Sequence, residues 1–130
     1  MKITNVNKKS IDDIYIHDFW LNDFSYNNLM GILTINLLSD RNEFKNKSFV
    51  LNDIIYVEYN NVNFWGGDGV PFDCVIVDDN FTKFNELKGK LKKNEIVPSK
   101  LKGEVVELSF YNLSGGELRV ICRSIEYNEY

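Results

Sequence analysis

This 130-residue chain predicts a mainly β fold, an antiparallel β-sandwich or a strongly curved, barrel-like sheet of about seven strands with one short helix at about residues 81–93. Three observations carry that reading. The sequence contains no alanine, the best helix former, while Ile, Val, Phe, Tyr and Asn are abundant. Apolar residues recur at period two in several segments. Asn-Asn and Gly-Gly pairs then cut those segments where hairpins need turns, because both residue types tolerate positive φ.

Asn27-Asn28 is read as the first hairpin turn. Counting outward pairs Tyr26 with Leu29, Phe24 with Gly31, Asn22 with Leu33, Trp20 with Ile35 and Asp18 with Leu37, a strongly apolar face, and leaves a mixed face behind it. A second hairpin, closed by Asn60-Asn61, runs over 49–59 into Val62-Asn63-Phe64-Trp65. Phe49, Leu51, Ile55, Val57 and Tyr59 align there at period two, and a bulge is expected near Asn52-Asp53. Residues 73–78 form a short strand bounded by Pro71 and Asp79-Asn80. Phe84, Leu87 and Leu91 share one face of a helix over 81–93, which Asn80 or Thr82 caps and Gly89 weakens. A connecting segment at 94–103, with Pro98, leads to the last hairpin, where 105–113 returns through a two-residue Gly115-Gly116 loop into 118–125. That register puts Tyr111, Leu113, Leu118, Val120 and Cys122 on one face and Val106, Leu108, Phe110, Ile121 and Ile125 on the other. Residues 127–130 are expected to fray.

One domain over 1–130 is long enough to bury roughly two thirds of the surface its unfolded form exposes. Hydrophobic content of 44% with 26% charged residues is that of an ordinary globular chain. No apolar run has the length of a membrane span, and residues 1–9 lack the apolar stretch of a signal peptide, so a cytoplasmic location is expected. Cys74 and Cys122 lie in strand-like segments and are expected as free thiols. The net charge of −4 conceals an asymmetry, since residues 83–102 hold seven lysines against Glu86 and Glu95 while the rest is acidic. That segment lacks the Arg and aromatic interleaving of nucleic-acid surfaces, which disfavours nucleic acid and leaves a solvated helix face and loop.

His17, the only histidine, adjoins Asp18, and neighbouring strand residues point to opposite faces, so the two do not form a metal pair. They are read as a structural polar anchor, with Asp18 buried near the end of the apolar face and in need of a partner. Trp65-Gly66-Gly67-Asp68-Gly69-Val70-Pro71 is neither a phosphate loop nor a calcium loop, for want of a following Lys-Ser/Thr or a closing Glu. It is read as a connecting or recognition loop. Asp73, Asp78 and Asp79 are placed near Asp12 and Asp13 at solvated strand ends, with no metal geometry implied. No catalytic motif stands out and no cofactor or metal is called for; chance pairs such as Glu107 with Asp53 are the remaining route to acid–base chemistry.

Ile16-His17-Asp18, the run Leu29-Met30-Gly31-Ile32-Leu33-Thr34-Ile35-Asn36-Leu37, Trp65-Gly66 and Ser114-Gly115-Gly116-Glu117-Leu118 together resemble small bacterial β-rich proteins of unknown function, some grouped with the immunity proteins of polymorphic toxin systems. The resemblance implies a cytoplasmic, non-enzymatic protein that offers an acidic surface to a basic partner protein; the basic segment 83–102 departs from that pattern. The contacts expected for such a partner are Trp65, Asp68, Asp78, Asp79, Tyr127 and Tyr130, because strand-end carboxylates and exposed aromatics favour interfaces. Two alternatives stand beside it: a small-ligand carrier with an aromatic cavity between sheets, and a subunit of a larger assembly that offers residues 125–130 as an added strand.

Overall fold

Strands that are apolar on one face need a second apolar layer to bury against. The computed structural model, which describes residues 1–60, 71–93 and 104–130, supplies it as two packed antiparallel sheets. In chain order the described elements are β1 (Lys2–Ile3), a 3-10 helix (Lys8–Asp13), β2 (Trp20–Asn27), β3 (Ile32–Leu38), β4 (Lys47–Asn52), β5 (Tyr56–Asn60), β6 (Phe72–Val77), α1 (Thr82–Lys93), β7 (Val106–Asn112), β8 (Glu117–Cys122) and β9 (Ser124–Glu129). One sheet is ordered β1-β9-β4-β3-β2 and the other β5-β8-β7-β6. Neither closes on itself, so the predicted β fold takes its sandwich form rather than its barrel form. No helix of the described residues is long and apolar enough to cross a membrane.

The two inner faces meet in one core. Leu33, Ile35, Leu37, Phe49, Leu51 and Ile125 come from the first sheet, and Val75, Leu108, Phe110, Leu118, Val120 and Cys122 from the second. Each such side chain, removed from water, is worth about 1.5–3 kcal/mol. Phe49 and Phe110 pack edge to face across the sheets with ring centroids 5.1 Å apart. A smaller cluster of Phe84, Val105 and Ile121 seats α1 on the outer face of the second sheet.

Two long strand-like segments break where the sequence reads them as continuous. Residues 49–59 form β4 in the first sheet, turn at Asp53 with φ +53°, and resume as β5 in the second. Residues 118–125 likewise split at Arg123 into β8 and β9. Sandwich corners are made this way, by strands that change sheets. The two corners are stitched together, because Arg123 donates its N–H to the Asn52 carbonyl at 3.2 Å and Ile55 donates to the Ile121 carbonyl at 2.8 Å. These breaks, with β1, bring the described strands to nine. Asn61 and the expected strand over 62–65 lie outside the described residues, as does the connecting segment 94–103.

Register differs from expectation at both other hairpins. Tyr26 pairs with Leu33 and Phe24 with Ile35, so the β2–β3 loop spans 28–31 rather than Asn27-Asn28 alone. That slip of four residues is even and leaves Phe24 and Tyr26 on the expected face. A bulge between Leu21 and Asp23 then turns Leu21 inward opposite Leu37 and Trp20 outward opposite Leu38. The last hairpin slips by an odd number. Phe110 pairs with Leu118 and Val106 with Cys122, which puts Val106, Leu108 and Phe110 on the same face as Leu118, Val120 and Cys122. Asn112 sets this register: its side-chain carbonyl accepts the N–H groups of Ser114 and Gly116 at 3.2 and 2.6 Å, closing a loop in which Gly115 has φ +87°. Residues 127–130 are not frayed. β9 lies between β1 and β4, and Tyr130 exchanges two 2.9 Å backbone hydrogen bonds with Asn46.

Candidate functional site

The two corners create the most unusual surface among the described residues. Gly31, at φ +65°, ends the β2–β3 loop, and its carbonyl accepts the Ile54 N–H at 2.9 Å, fixing the loop against the corner after β4. Between them lies a groove of about 390 Å³ lined by Tyr26, Leu29, Met30, Asp53, Ile54 and Arg123. At its rim Leu29 is 96% exposed and Met30 65% exposed. Asn27 holds the loop shape by accepting the Met30 N–H on its side-chain carbonyl at 3.0 Å. A hairpin that presents two adjacent apolar side chains to solvent gains nothing in the isolated protein. Arg123 is anchored by donating to the Glu104 carbonyl at 3.1 Å, whereas Asp53 has no ion-pair partner among the described residues. The groove is thus apolar at its rim and carries one acid, Asp53, and one base, Arg123, on its walls.

A second cluster occupies the outer face of the second sheet. The odd register of β7 and β8 aligns Glu107, Ser109 and Tyr111 with Glu117, Arg119 and Ile121. Glu107 is fully buried and its carboxylate accepts the Lys83 and Phe84 N–H groups at 3.0 and 2.8 Å. A sheet residue therefore satisfies the orphan amides at the start of α1. Arg119 completes the arrangement, donating to Glu107 at 2.6 Å, to Asp78 at 3.1 Å and through Nε to Glu117 at 2.7 Å. Burial opposes the Arg119 charge, but Glu117 and Glu107 more than restore it. Burial likewise favours a protonated Asp78, yet hydrogen bonds from Thr82, the Asn80 amide and Arg119 hold its carboxyl below the usual range. Beside the cluster, the hydroxyl of Tyr56 and then the Asn60 amide and Lys83 pull Glu58 down to about 2. Every charge here has a partner, and the cluster fastens α1 to the sheet.

The residues singled out in the sequence scatter. Asp78 is bound to Arg119, and Asp79 is paired with Lys8 and Lys9, so neither is an uncompensated acid offered to a partner. Asp12 accepts the Val77 N–H at 2.9 Å and ties the 3-10 helix to β6. Tyr127 is 9% exposed, packed on Phe49 at 5.0 Å with its hydroxyl donating to Glu129, so it is a core residue rather than a contact. Tyr130 is exposed. Trp65 and Asp68 lie outside the described residues. Asp18 does not sit buried on an apolar face: it occupies the turn before β2 at φ +66°, half-exposed, 3.6 Å from His17 and 3.8 Å from Arg41. His17 reaches Asp73 of β6 at 3.1 Å, so the pair joins two elements at the surface. Cys74 and Cys122 are free thiols, and burial raises the pKa of both. Glu107 and Asp53 do not meet, one buried under α1 and the other exposed at the corner. Among the described residues no group of three or more His, Cys, Asp or Glu is placed to hold a metal ion.

Sequence reasoning missed Leu29 and Met30 because they continue the apolar run of β3. The available signal was Gly31, which marks the loop's end rather than a strand interior. Comparison of the chain with family models, curated proteins and solved structures finds no match.

Proposed function

We propose that the protein is a non-enzymatic protein-binding module, of the kind represented by toxin-immunity proteins, acting in the cytoplasm and binding through the β2–β3 loop and the groove behind it. The observation that carries this reading is the near-complete exposure of Leu29 beside Met30 on a loop whose backbone is fixed at both ends. Apolar anchors on a preorganised loop lose little entropy on binding, and Met adapts to irregular partner surfaces. This reading puts the site at the corner, in place of the paired acids Asp78 and Asp79 and the buried Tyr127.

The test is capture of a stoichiometric partner by the tagged protein, compared with the Leu29→Asp/Met30→Asp variant. The variant is expected to keep the wild-type melting temperature, since both residues are exposed, and to lose the partner entirely. Equal capture by both proteins would remove the corner as the binding site.

A further inference from the structure

Among the described residues four strands lie at sheet edges, and an edge left open invites another strand. Three are short or obstructed. β1 is two residues long. β6 is occupied along its outer side: Phe72 donates to the Phe19 carbonyl at 2.9 Å and accepts from the Asp18 N–H at 3.0 Å, while its far end donates from Val77 to the Asp12 carboxylate. β5 has five residues and carries Glu58, tied to Lys83 of α1 at 3.1 Å. The fourth, β2, is eight residues long and pairs only with β3 among the described residues. Six of those eight, Trp20, Asn22, Asp23, Ser25, Tyr26 and Asn27, are exposed. From 18 to 30 the sequence contains no Lys, Arg or Pro, the usual devices that blunt an edge. Only the bulge at Asn22 interrupts it.

Charge decides what the edge receives. Asp18 is met by Arg41 and His17, but the Asp23 carboxylate has no ion-pair partner among the described residues and accepts only the neutral side-chain amide of Asn36, at 3.4 Å. A second copy of the chain would lay this cation-free, doubly acidic segment against itself, which like charges oppose. A strand with Lys or Arg at alternate positions would place a cation opposite Asp23 and its apolar side chains beside Phe24 and Tyr26. We propose that β2 is a docking edge for a basic, extended segment of the partner protein, which adds a sixth strand to the first sheet. This proposal rests on the protein-binding reading of the corner, with which β2 is continuous through Asn27.

The experiment uses the whole protein, nitrogen-15 labelled, with a short capped peptide of alternating Lys and Val as probe and one of alternating Glu and Val as control. Amide hydrogen exchange is expected to slow by roughly tenfold or more at alternate residues of β2 with the basic peptide only. Asp23→Lys and, separately, Ser25→Lys should abolish that protection with the melting temperature unchanged. Absence of protection on β2, equal protection by the acidic peptide, or protection on another edge would overturn the proposal. So would self-association with β2 protected in the absence of peptide. Loss of partner capture in the Leu29→Asp/Met30→Asp variant, with β2 unprotected by the basic peptide, would overturn strand addition and leave the corner reading intact; unchanged capture would remove the corner reading itself.

Discussion

Glu107 is the residue on which the outer face of the second sheet depends. Its carboxylate replaces water for two helix amides and one guanidinium in a site with no exposure. Truncating it leaves the Lys83 and Phe84 amides without that acceptor and takes from Arg119 one of its three carboxylate partners. Glu107→Ala should therefore cost about 3–5 kcal/mol in urea unfolding, the usual penalty for breaking a buried pair, and Glu107→Gln clearly less because one carbonyl oxygen remains. Gly31 is a second sensitive residue, for a backbone reason. A Cβ there would sit 3.4 Å from the Ile54 N at φ +65°. Gly31→Ala should destabilise by about 1–2 kcal/mol, the cost of the left-handed conformation for an L-residue, measurable as a lower urea midpoint. The role of Glu107 is not visible at the residue level of the sequence. Glu107 reads there as a polar interruption in an apolar strand, and only the register of β7 against β8 shows that it faces a helix.

Register is also what limits a reading of the elements. The residues 73–78 and 81–93 come out nearly as β6 and α1, because their signals are local: β-branched residues before an Asp-Asn break, then apolar residues at helical spacing. Hairpins depend instead on loop length, which turn residues indicate only loosely. Asn27 and Asn28 do lie at a turn, but Gly31 lengthens it by an even number of residues and the faces survive. At the last hairpin Asn112 captures Ser114 and Gly116 before the Gly-Gly pair can form a two-residue loop, and the odd slip exchanges the faces. Trp20 tests the equivalent point in β2. If the bulge at Asn22 turns it outward, Trp20→Ala should cost well under the ~3–5 kcal/mol of a core Trp, and Leu21→Ala should cost more than Trp20→Ala in the same unfolding assay. The reverse order would place Trp20 in the core.

Among the described residues of the molecule the carboxylates are mostly paired, and this sets the response to acid. Glu58 is held down to about 2 by Tyr56, Asn60 and Lys83, and Asp78 is also lowered despite its burial. A carboxylate with a depressed folded-state pKa contributes stability that is present above its unfolded value near ~4.3 and is lost as pH falls through its folded value. Stability should be flat near neutrality and decline from about pH 4 toward about 2. Glu58→Gln should shallow that decline, as read by urea midpoints across the range. The mainly β class and the sandwich were legible because composition and period-two patterning are properties of the whole chain. The corner was not, since it arises only where 52–55 and 121–123 meet, and nothing local in either segment announces the other.

The position of β9 bears on how the protein is made. Lys2 pairs with Glu126, and Phe49 pairs with Tyr127, so the middle of the first sheet is assembled from segments far apart in the chain. Closing such long loops precedes any reward from the contacts they bring together, and topologies of this kind fold on the millisecond-to-second scale rather than faster. Until residues 124–129 leave the ribosome, β4 has a bare edge and Phe49 lacks its cover. The nascent chain is therefore exposed to aggregation, and to chaperones, until those residues emerge.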